Sequence, residues 1–229
     1  MESIMERGVC MISYEDIKKN GDIRTYIMHA DKSLAALGFT EHSFAHVTRV
    51  ADTAQYILET LGFDSHMIEL AKIAAYLHDI GNLVNREEHS QSGAVMAFRI
   101  LDKLNMPSDD VATIVTAIGN HDEGTGVAVN AVAAALIIAD KTDVRRTRVR
   151  NNDIATFDIH DRVNYSVRNS SVIINEEKTS LILNLDIDTK FSAVMDYFEI
   201  FMGRMIMCRK AADALGLSFR LFINGQQLL

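Results

Sequence analysis

Histidine and carboxylate side chains are concentrated in residues 42–140, a stretch that holds six of the eight histidines in the chain. The stretch contains the adjacent pair His78-Asp79, and Asp140 follows an apolar run near its end. Imidazole nitrogen and carboxylate oxygen are the donor set that suits iron, manganese, zinc or nickel, and the stretch contains no cysteine thiolate. A fold that gathers these side chains would hold one or two metal ions.

Helices are the elements that must position these residues. His42 and His46 are four residues apart, so a helix over 42–61 would place both on one face. Adjacent residues on a helix point about 100° apart, so His78 and Asp79 can both bind only beside a helix end. Apolar periodicity and capping residues predict helices over 13–20, 23–37, 42–61, 65–77, 89–104, 109–119 and 129–146.

A carboxylate inside an apolar helix is a second indication of a buried site. Asp140 directly follows Ile137, Ile138 and Ala139 in the predicted helix 129–146. Burying an ionised carboxylate is costly unless the group is paired or bound to a metal. The position of Asp140 therefore favours a role as a ligand.

The pattern changes near Arg150, where β-branched residues begin to alternate with polar ones. Residues 162–174 and 179–187 are predicted strands, 190–215 a helix and 217–223 a final strand closed by Asn224-Gly225. The predicted fold is mainly α-helical, with a helical bundle over residues 1–150 and a small α+β appendage of β-β-α-β order over 151–229. Gly81 is expected to let the backbone turn sharply after His78-Asp79.

Composition excludes several classes of function. The formal net charge of -8 argues against binding a nucleic-acid polymer, although bound cations would still admit a small phosphorylated substrate. Two cysteines, Cys10 and Cys208, make no disulfide framework and fit a reducing compartment. The first residues do not form a secretory signal, and no run approaches the ~18 apolar residues of a membrane span. We expect a cytoplasmic protein that does not insert into membranes.

The ordered set of motifs resembles the HD superfamily of metal-dependent phosphohydrolases over about residues 25–148. The resemblance is carried by HVTRVA (46–51), LHDIGN (77–82), HSQSGA (89–94), AIGNHDEG (117–124) and IIADKTDVRR (137–146). The six-ligand version of that family implies two divalent ions, iron or manganese, with zinc, nickel or magnesium as alternatives. The ligands it implies here are His46, His78, Asp79, His89, His121 and Asp140.

The resemblance also implies a mechanism, in which a metal-activated hydroxide hydrolyses a nucleotide or another small phosphate ester. Asp79 and His78 would be catalytic, with Asp79 bridging the two ions. Two branches are most similar, the dinucleoside tetraphosphate hydrolase-like group and the HD-GYP cyclic-dinucleotide phosphodiesterases. The loop HDEGTGVAV departs from the second branch, because it lacks the GYP motif and has Asp122 where a second histidine would stand.

The phosphate-binding side of the site departs from the family pattern. Many HDIG sequences continue with a lysine that contacts phosphate, whereas this chain has Asn82. The candidate substrate-binding residues are Lys141, Arg49, Asn82 and Arg145. His42 and Asp122 are expected to support the ligands from outside, with a third metal site as the alternative.

Two other functions stay open at this stage. Some HD proteins use two irons to cleave C–C or C–P bonds, so a di-iron oxygenase is one alternative. The other is a regulatory or oligomerisation module in which the metals are structural and the appendage forms a homodimer contact.

Overall fold

The structure, a computed structural model, describes residues 12–229. Cys10 and most of the N-terminal stretch, for which no secretory signal is predicted, lie in residues 1–11, outside the described part. Nine α-helices and four β-strands occupy residues 12–229. The helices are α1 Tyr14–Lys19, α2 Gly21–Ala36, α3 Phe44–Leu61, α4 Ser65–Leu77, α5 His89–Lys103, α6 Ser108–Gly119, α7 Ala131–Lys141, α8 Ile159–Ser166 and α9 Val194–Ala214; the strands are β1 Val167–Ile174, β2 Ser180–Ile187, β3 Ser218–Ile223 and β4 Gln226–Gln227.

Helices α3 to α7 form the bundle, in which α3 and α4 pack against each other and both pack against α7. Helix α3 illustrates how local sequence produces these elements. Val47, Val50 and Ala54 recur on its buried face, and each fully buried valine contributes roughly 1.5–3 kcal/mol. The Ser43 side chain caps the start of α3, and Gly62 ends it in the left-handed conformation with φ 86°.

Helix α7 is the centre of the bundle. Residues 132–139 are all buried, because α3, α4, α6 and α9 pack around the helix. A helix that is apolar on every side is stable only in such an interior position. Its C-terminal end therefore delivers Asp140 to the middle of the molecule.

The C-terminal strands form one sheet in the order β1-β2-β3-β4. Strands β1 and β2 are antiparallel, whereas β2 and β3 are parallel and are joined by α9, the kind of crossover that parallel pairing requires. Asn224 and Gly225 have φ values of 51° and 78°, which suit a type I′ hairpin between β3 and β4. Helix α9 packs against both β3 and α7. The predicted class, a mainly helical bundle with a small C-terminal α+β part, is confirmed.

Besides the helix predicted over 190–215, which begins only at Val194, three sequence-based boundaries were wrong. The helix predicted over 42–61 begins at Phe44, so His42 precedes it and does not share a helical face with His46. The helix predicted over 129–146 ends at Lys141 because the chain turns after Thr142, whose hydroxyl donates to the Ile138 carbonyl.

The third boundary concerns the strand predicted over 162–174, whose first part is helical. The Asp158 side chain accepts a hydrogen bond from the Asp161 backbone N–H, and this cap starts α8. The strand β1 begins only at Val167. Within residues 12–229, no helix has the length and apolar character needed to cross a membrane.

Gly81 is required because the chain packs closely around it. The sequence had predicted a different reason for this glycine, a sharp turn of the backbone. It lies in a 3-10 turn, Ile80–Leu83, that packs against α5. A Cβ added at Gly81 would lie 2.0 Å from the His89 carbonyl oxygen and 2.4 Å from the Gly93 backbone nitrogen. Both of these are backbone atoms, so the start of α5 would have to move away.

The substitution Gly81→Ala is expected to destabilise the fold by about 1–3 kcal/mol, the usual cost of overpacking. It should also reduce bound metal, since α5 begins with His89. Denaturant unfolding and elemental analysis measure the two effects. Gly21→Ala is the control, because a Cβ there meets nothing within 4 Å; equal stability of the two variants would contradict the prediction.

Candidate metal centre

Six side chains from five helical segments meet at one buried point. They are His46 from α3, His78 and Asp79 at the end of α4, His89 at the start of α5, His121 just after α6, and Asp140 near the end of α7. All four histidines are at most 2% exposed. Residues spread over about 95 positions of sequence are thus brought together by the packing of α3 to α7.

The orientation of the four imidazole rings is fixed by their Nδ1 atoms. Each Nδ1–H donates to an oxygen: His46 to Asp143 Oδ2 at 2.8 Å, His78 to Ala75 O at 2.7 Å, His89 to Arg86 O at 3.1 Å and His121 to Ile118 O at 2.6 Å. A neutral imidazole that donates through Nδ1 carries a lone pair on Nε2. All four Nε2 atoms therefore face the centre as potential ligands.

The donor atoms are separated by distances that suit a shared ion. His78 Nε2 lies 3.2 Å from Asp79 Oδ2 and 3.6 Å from Asp140 Oδ1. His46 Nε2 lies 3.5 Å and 3.3 Å from the same two oxygens. Atoms bound at about 2.1 Å to one ion would lie about 3.0–3.4 Å apart. Two overlapping groups result, His46-His78-Asp140 and His78-Asp79-His121.

Several of these donor atoms lack a protein partner. His46 Nε2, His78 Nε2 and Asp79 Oδ2 are buried and make no hydrogen bond within the described residues. An unsatisfied buried polar atom costs about 1–3 kcal/mol. The Nε2 atoms of His89 and His121 also face each other at 3.2 Å, so their two lone pairs point into the same space. The residues present therefore fit divalent cations.

When no metal is bound, the negative charges of Asp79 and Asp140 favour protonation of the neighbouring histidines. Burial lowers the pKa of His78, but the charges and hydrogen bonds of Asp79 and Asp140 outweigh it and raise that pKa to about 10. The pKa of His46 is also raised, since carboxylates around it outweigh burial. Burial and the nearby His78 lower the pKa of His121 to about 3. In the metal-free site a proton is therefore held on His78 at neutral pH, and His46 is more easily protonated than a free imidazole.

Metal binding is therefore expected to release protons. A divalent ion must displace the proton of His78, so its apparent affinity should rise with pH from 6 to 9, about tenfold per unit for each proton displaced. Calorimetric titration in two buffers of different ionisation enthalpy counts the protons released. Affinity that does not change with pH would contradict protonation of His78 in the metal-free protein.

Asn82, predicted to bind substrate, holds Asp79 in place. The Asn82 Nδ2 donates to Asp79 Oδ1 and to the Asp79 carbonyl oxygen, both at 2.9 Å. Arg86 in turn donates to Asn82 Oδ1 at 3.3 Å. Oδ1 of Asp79 is thus fixed by the amide and faces His89, and Oδ2 is left facing His46 and His78.

Arg49 and Arg145, also predicted substrate contacts, both bind Asp143. Arg49 Nε lies 3.1 Å and Arg145 Nε 2.9 Å from Asp143 Oδ1. Arg49 Nη2 also donates to the Ser170 carbonyl at 3.0 Å. The structure brings neither arginine into the cavity beside the metal ligands.

Asp143 is a residue that sequence reasoning missed. Its side chain is buried and accepts from His46, Arg49 and Arg145, while the buried Arg148 donates to its carbonyl at 2.8 Å. Burial raises its pKa, but the His46 hydrogen bond and Arg148 hold that pKa well below the usual range. The run TDVRR (142–146) places an acid beside two arginines, but nothing in it identifies His46 as a partner.

A cavity of about 260 Å³ opens beside the ligands. Two of the predicted residues, His42 and Lys141, line it, together with the candidate metal ligands Asp79, His89 and Asp140. Its other lining residues were missed; they include Phe39, Arg86, Arg148, the α8 cap Asp158, the α8 residues His160, Asp161 and Asn164, and the α9 residues Phe201 and Arg204. The C-terminal part of the chain therefore contributes directly to this cavity.

The remaining predicted residues lie around the ligands. Lys141 is buried, and its Nζ lies 2.9 Å from Asp140 Oδ2 and 3.8 Å from Asp122 Oδ1. The His42 ring lies 5.4 Å from the His46 ring, with its Nδ1 2.7 Å from the Thr40 carbonyl oxygen. Because Asp122 already faces the ammonium group of Lys141, supporting positions for His42 and Asp122 fit better than a third metal site.

This chain is similar to a family model and to two individual proteins. A family model described as HD domain matches residues 43–161, just over half of the chain. An uncharacterised protein of Methanocaldococcus jannaschii, MJ1020, is 25% identical over 166 residues, which are 63% of this chain and 64% of that protein. The chain thus spans less than two thirds of that relative. The crystal structure of a predicted HD superfamily hydrolase from an uncultured Thermotogales bacterium is 27% identical, with TM-score 0.42, covering 54% of this chain and 67% of that one.

Proposed function

The chain belongs to the HD domain family, and from that premise we propose that it is a metal-dependent phosphohydrolase acting on a small phosphate ester. One observation carries the proposal. Four imidazole Nε2 atoms and the carboxylates of Asp79 and Asp140 converge on one buried point, and the Nδ1 of every ring is already engaged. Divalent cations at this point would satisfy His46 Nε2, His78 Nε2 and Asp79 Oδ2, which are buried without a hydrogen bond to the described residues.

We propose two ions, iron or manganese. His46, His78 and Asp140 would hold one ion, and Asp79, His89 and His121 would hold the other, with Asp79 shared. Two such ions polarise phosphoryl oxygens and lower the pKa of a bound water toward neutrality. Asn82 keeps the Asp79 carboxylate in its orientation, and Asp143 does the same for the His46 ring.

The size of the cavity supports a small substrate. A volume of about 260 Å³ is at the low end of ligand sites, which span roughly 300–1,000 Å³. A phosphomonoester such as a mononucleotide suits that volume better than a dinucleoside polyphosphate or a cyclic dinucleotide. The neighbouring Lys141, Arg86 and Arg204 give the cavity cations for the phosphate, which agrees with an anionic substrate despite the acidic chain.

The test is hydrolysis measured alongside metal content. Protein stripped of metal and reloaded with manganese, iron or zinc is assayed against p-nitrophenyl phosphate, a mononucleotide panel and a dinucleoside tetraphosphate. We expect activity on monoesters that requires metal, with little on the dinucleotide. A metal-loaded protein that hydrolyses none of them would overturn the proposal, and oxygen consumption with two bound irons would favour the di-iron oxygenase instead.

A further inference from the structure

We propose that Arg204, on α9 of the C-terminal appendage, binds the substrate phosphate; this inference rests on the proposed function. Family resemblance places a phosphate-contacting lysine after HDIG, but Asn82 occupies that position and is used to hold Asp79. A cation that contacts the phosphate would therefore be one of those that line the cavity. Four cationic side chains line the cavity, Arg86, Lys141, Arg148 and Arg204.

Hydrogen bonding distinguishes these four cations. Arg148 is buried and donates through Nε and Nη1 to the carbonyls of Glu41 and Asp143. Lys141 Nζ lies 2.9 Å from the ligand Asp140, and Arg86 donates to Asn82. Only Arg204 keeps both terminal nitrogens, Nη1 and Nη2, without a hydrogen bond to the described part of the chain. Those two nitrogens present the planar fork that suits phosphate oxygens.

The guanidinium of Arg204 is held ready for this role. Its Nε donates to Glu123 Oε1 at 2.7 Å, and its Cζ lies 4.1 Å from the centre of the Phe201 ring. The Arg204 side chain is 24% exposed and lines the cavity. It therefore contacts the protein and also faces the space that a substrate would occupy. A side chain restrained on two sides loses less entropy when it binds an anion.

Glu123 also connects Arg204 to the metal ligands. Its Oε1 lies 4.0 Å from Lys141 Nζ, and Lys141 contacts Asp140. Arg204 and Lys141 therefore lie on two sides of one carboxylate, next to the centre. A phosphate bound by the metals would lie within reach of both cations, and Arg204 would contact the oxygens that the metals leave free.

The appendage would then be part of the active site. Arg204 lies 64 positions beyond Asp140 in sequence, and reaches the cavity because α9 packs on α7. Arg204 lies outside the family match at 43–161. Arg209 is on the same helix, but it is exposed and does not line the cavity.

The experiment measures binding of inorganic phosphate to the manganese-loaded protein by calorimetry, with kcat and KM for p-nitrophenyl phosphate measured in parallel. Arg204→Gln should weaken phosphate binding by about 10- to 100-fold, the effect of losing charge-assisted hydrogen bonds. KM should rise by a similar factor while bound metal stays constant. Arg204→Lys should recover part of the affinity, and the matched control Arg209→Gln should match the wild type.

A second variant separates a contact between Arg204 and substrate from a role of Arg204 in holding the loop that contains Glu123, between α6 and α7. Glu123→Gln removes the negative charge but keeps a side-chain oxygen that can accept from Arg204 Nε. Arg204 therefore stays positioned in the cavity, and phosphate should bind at least as tightly as in the wild type. The inference is overturned if Glu123→Gln loses as much phosphate affinity as Arg204→Gln. It is also overturned if Arg86→Gln loses phosphate affinity and Arg204→Gln does not. Wild-type protein that binds phosphate through Arg204 but hydrolyses nothing would instead refute the proposed function and leave this inference standing.

Discussion

Replacing Asp79 by alanine is expected to remove bound metal and abolish phosphate-ester hydrolysis. Asp79 offers two carboxylate oxygens to the centre: Oδ2 lies 3.2 Å from His78 Nε2, and Oδ1 lies 3.5 Å from His89 Nε2. Among the described residues, Asp79 is thus a carboxylate whose oxygens lie near histidines of both proposed ion positions. Metal ions supply several kcal/mol of transition-state stabilisation, so their loss corresponds to at least about 10³-fold in kcat.

Two measurements make this prediction specific. Elemental analysis of purified Asp79→Ala should find metal well below the wild-type content, and p-nitrophenyl phosphate hydrolysis should fall to background. The control is Asp102→Ala, which removes an exposed carboxylate from α5 and should leave both quantities unchanged. Full metal content in Asp79→Ala would show that Asp79 is not a ligand.

Much of the bundle was predictable because its signals are local. Ser43, Asp64 and Asn130 cap α3, α4 and α7 through contacts with residues two or three positions ahead. Apolar residues at helical spacing then define the buried face of each helix. The same helices explain why the candidate ligands could be expected to converge. His78, His89 and His121 each lie at or next to a helix end, where side chains from different helices can meet.

The errors in element boundaries arose where a local cap competed with an alternating pattern. Val163, Tyr165 and Val167 alternate as a strand would, yet the Asp158 cap and the Asn164 bond to the His160 carbonyl stabilise α8. Only eight residues are involved, too few for periodicity to distinguish the two structures. The early end of α7 was likewise unmarked by any glycine or proline.

The surroundings of the ligands could not be predicted because they depend on contacts between distant residues. His46 and Asp143 are 97 positions apart, and Glu123 and Arg204 are 81 positions apart. A single sequence offers no signal for such pairs. Arg49 and Arg145 illustrate this limit, because their cationic charge is visible in the sequence but the buried carboxylate that binds them is not.

Replacing Asp143 by alanine is expected to affect both stability and metal binding. The substitution removes the acceptor of His46 Nδ1 and the carboxylate shared by Arg49 and Arg145. It also leaves the buried Arg148, 4% exposed, without its nearest acidic charge at 3.8 Å. Breaking one side of a buried ion pair costs about 3–5 kcal/mol. Loss of a partner that orients a metal-bound histidine costs about 10- to 100-fold in metal affinity.

The variant Asp143→Asn separates the two roles of this carboxylate. Its amide oxygen can still accept from His46 Nδ1, so the ring keeps its orientation, but the negative charge that faces the arginines is gone. We therefore expect Asp143→Asn to show most of the loss of stability seen in Asp143→Ala. Its loss of metal affinity should be smaller than that of Asp143→Ala. Urea unfolding of the metal-free proteins and titration with manganese give the two quantities, with Asp213→Ala, an exposed carboxylate on α9, as the control. If the asparagine variant is as stable as the wild type, the arginines do not depend on the charge of Asp143, and this residue acts only by orienting His46.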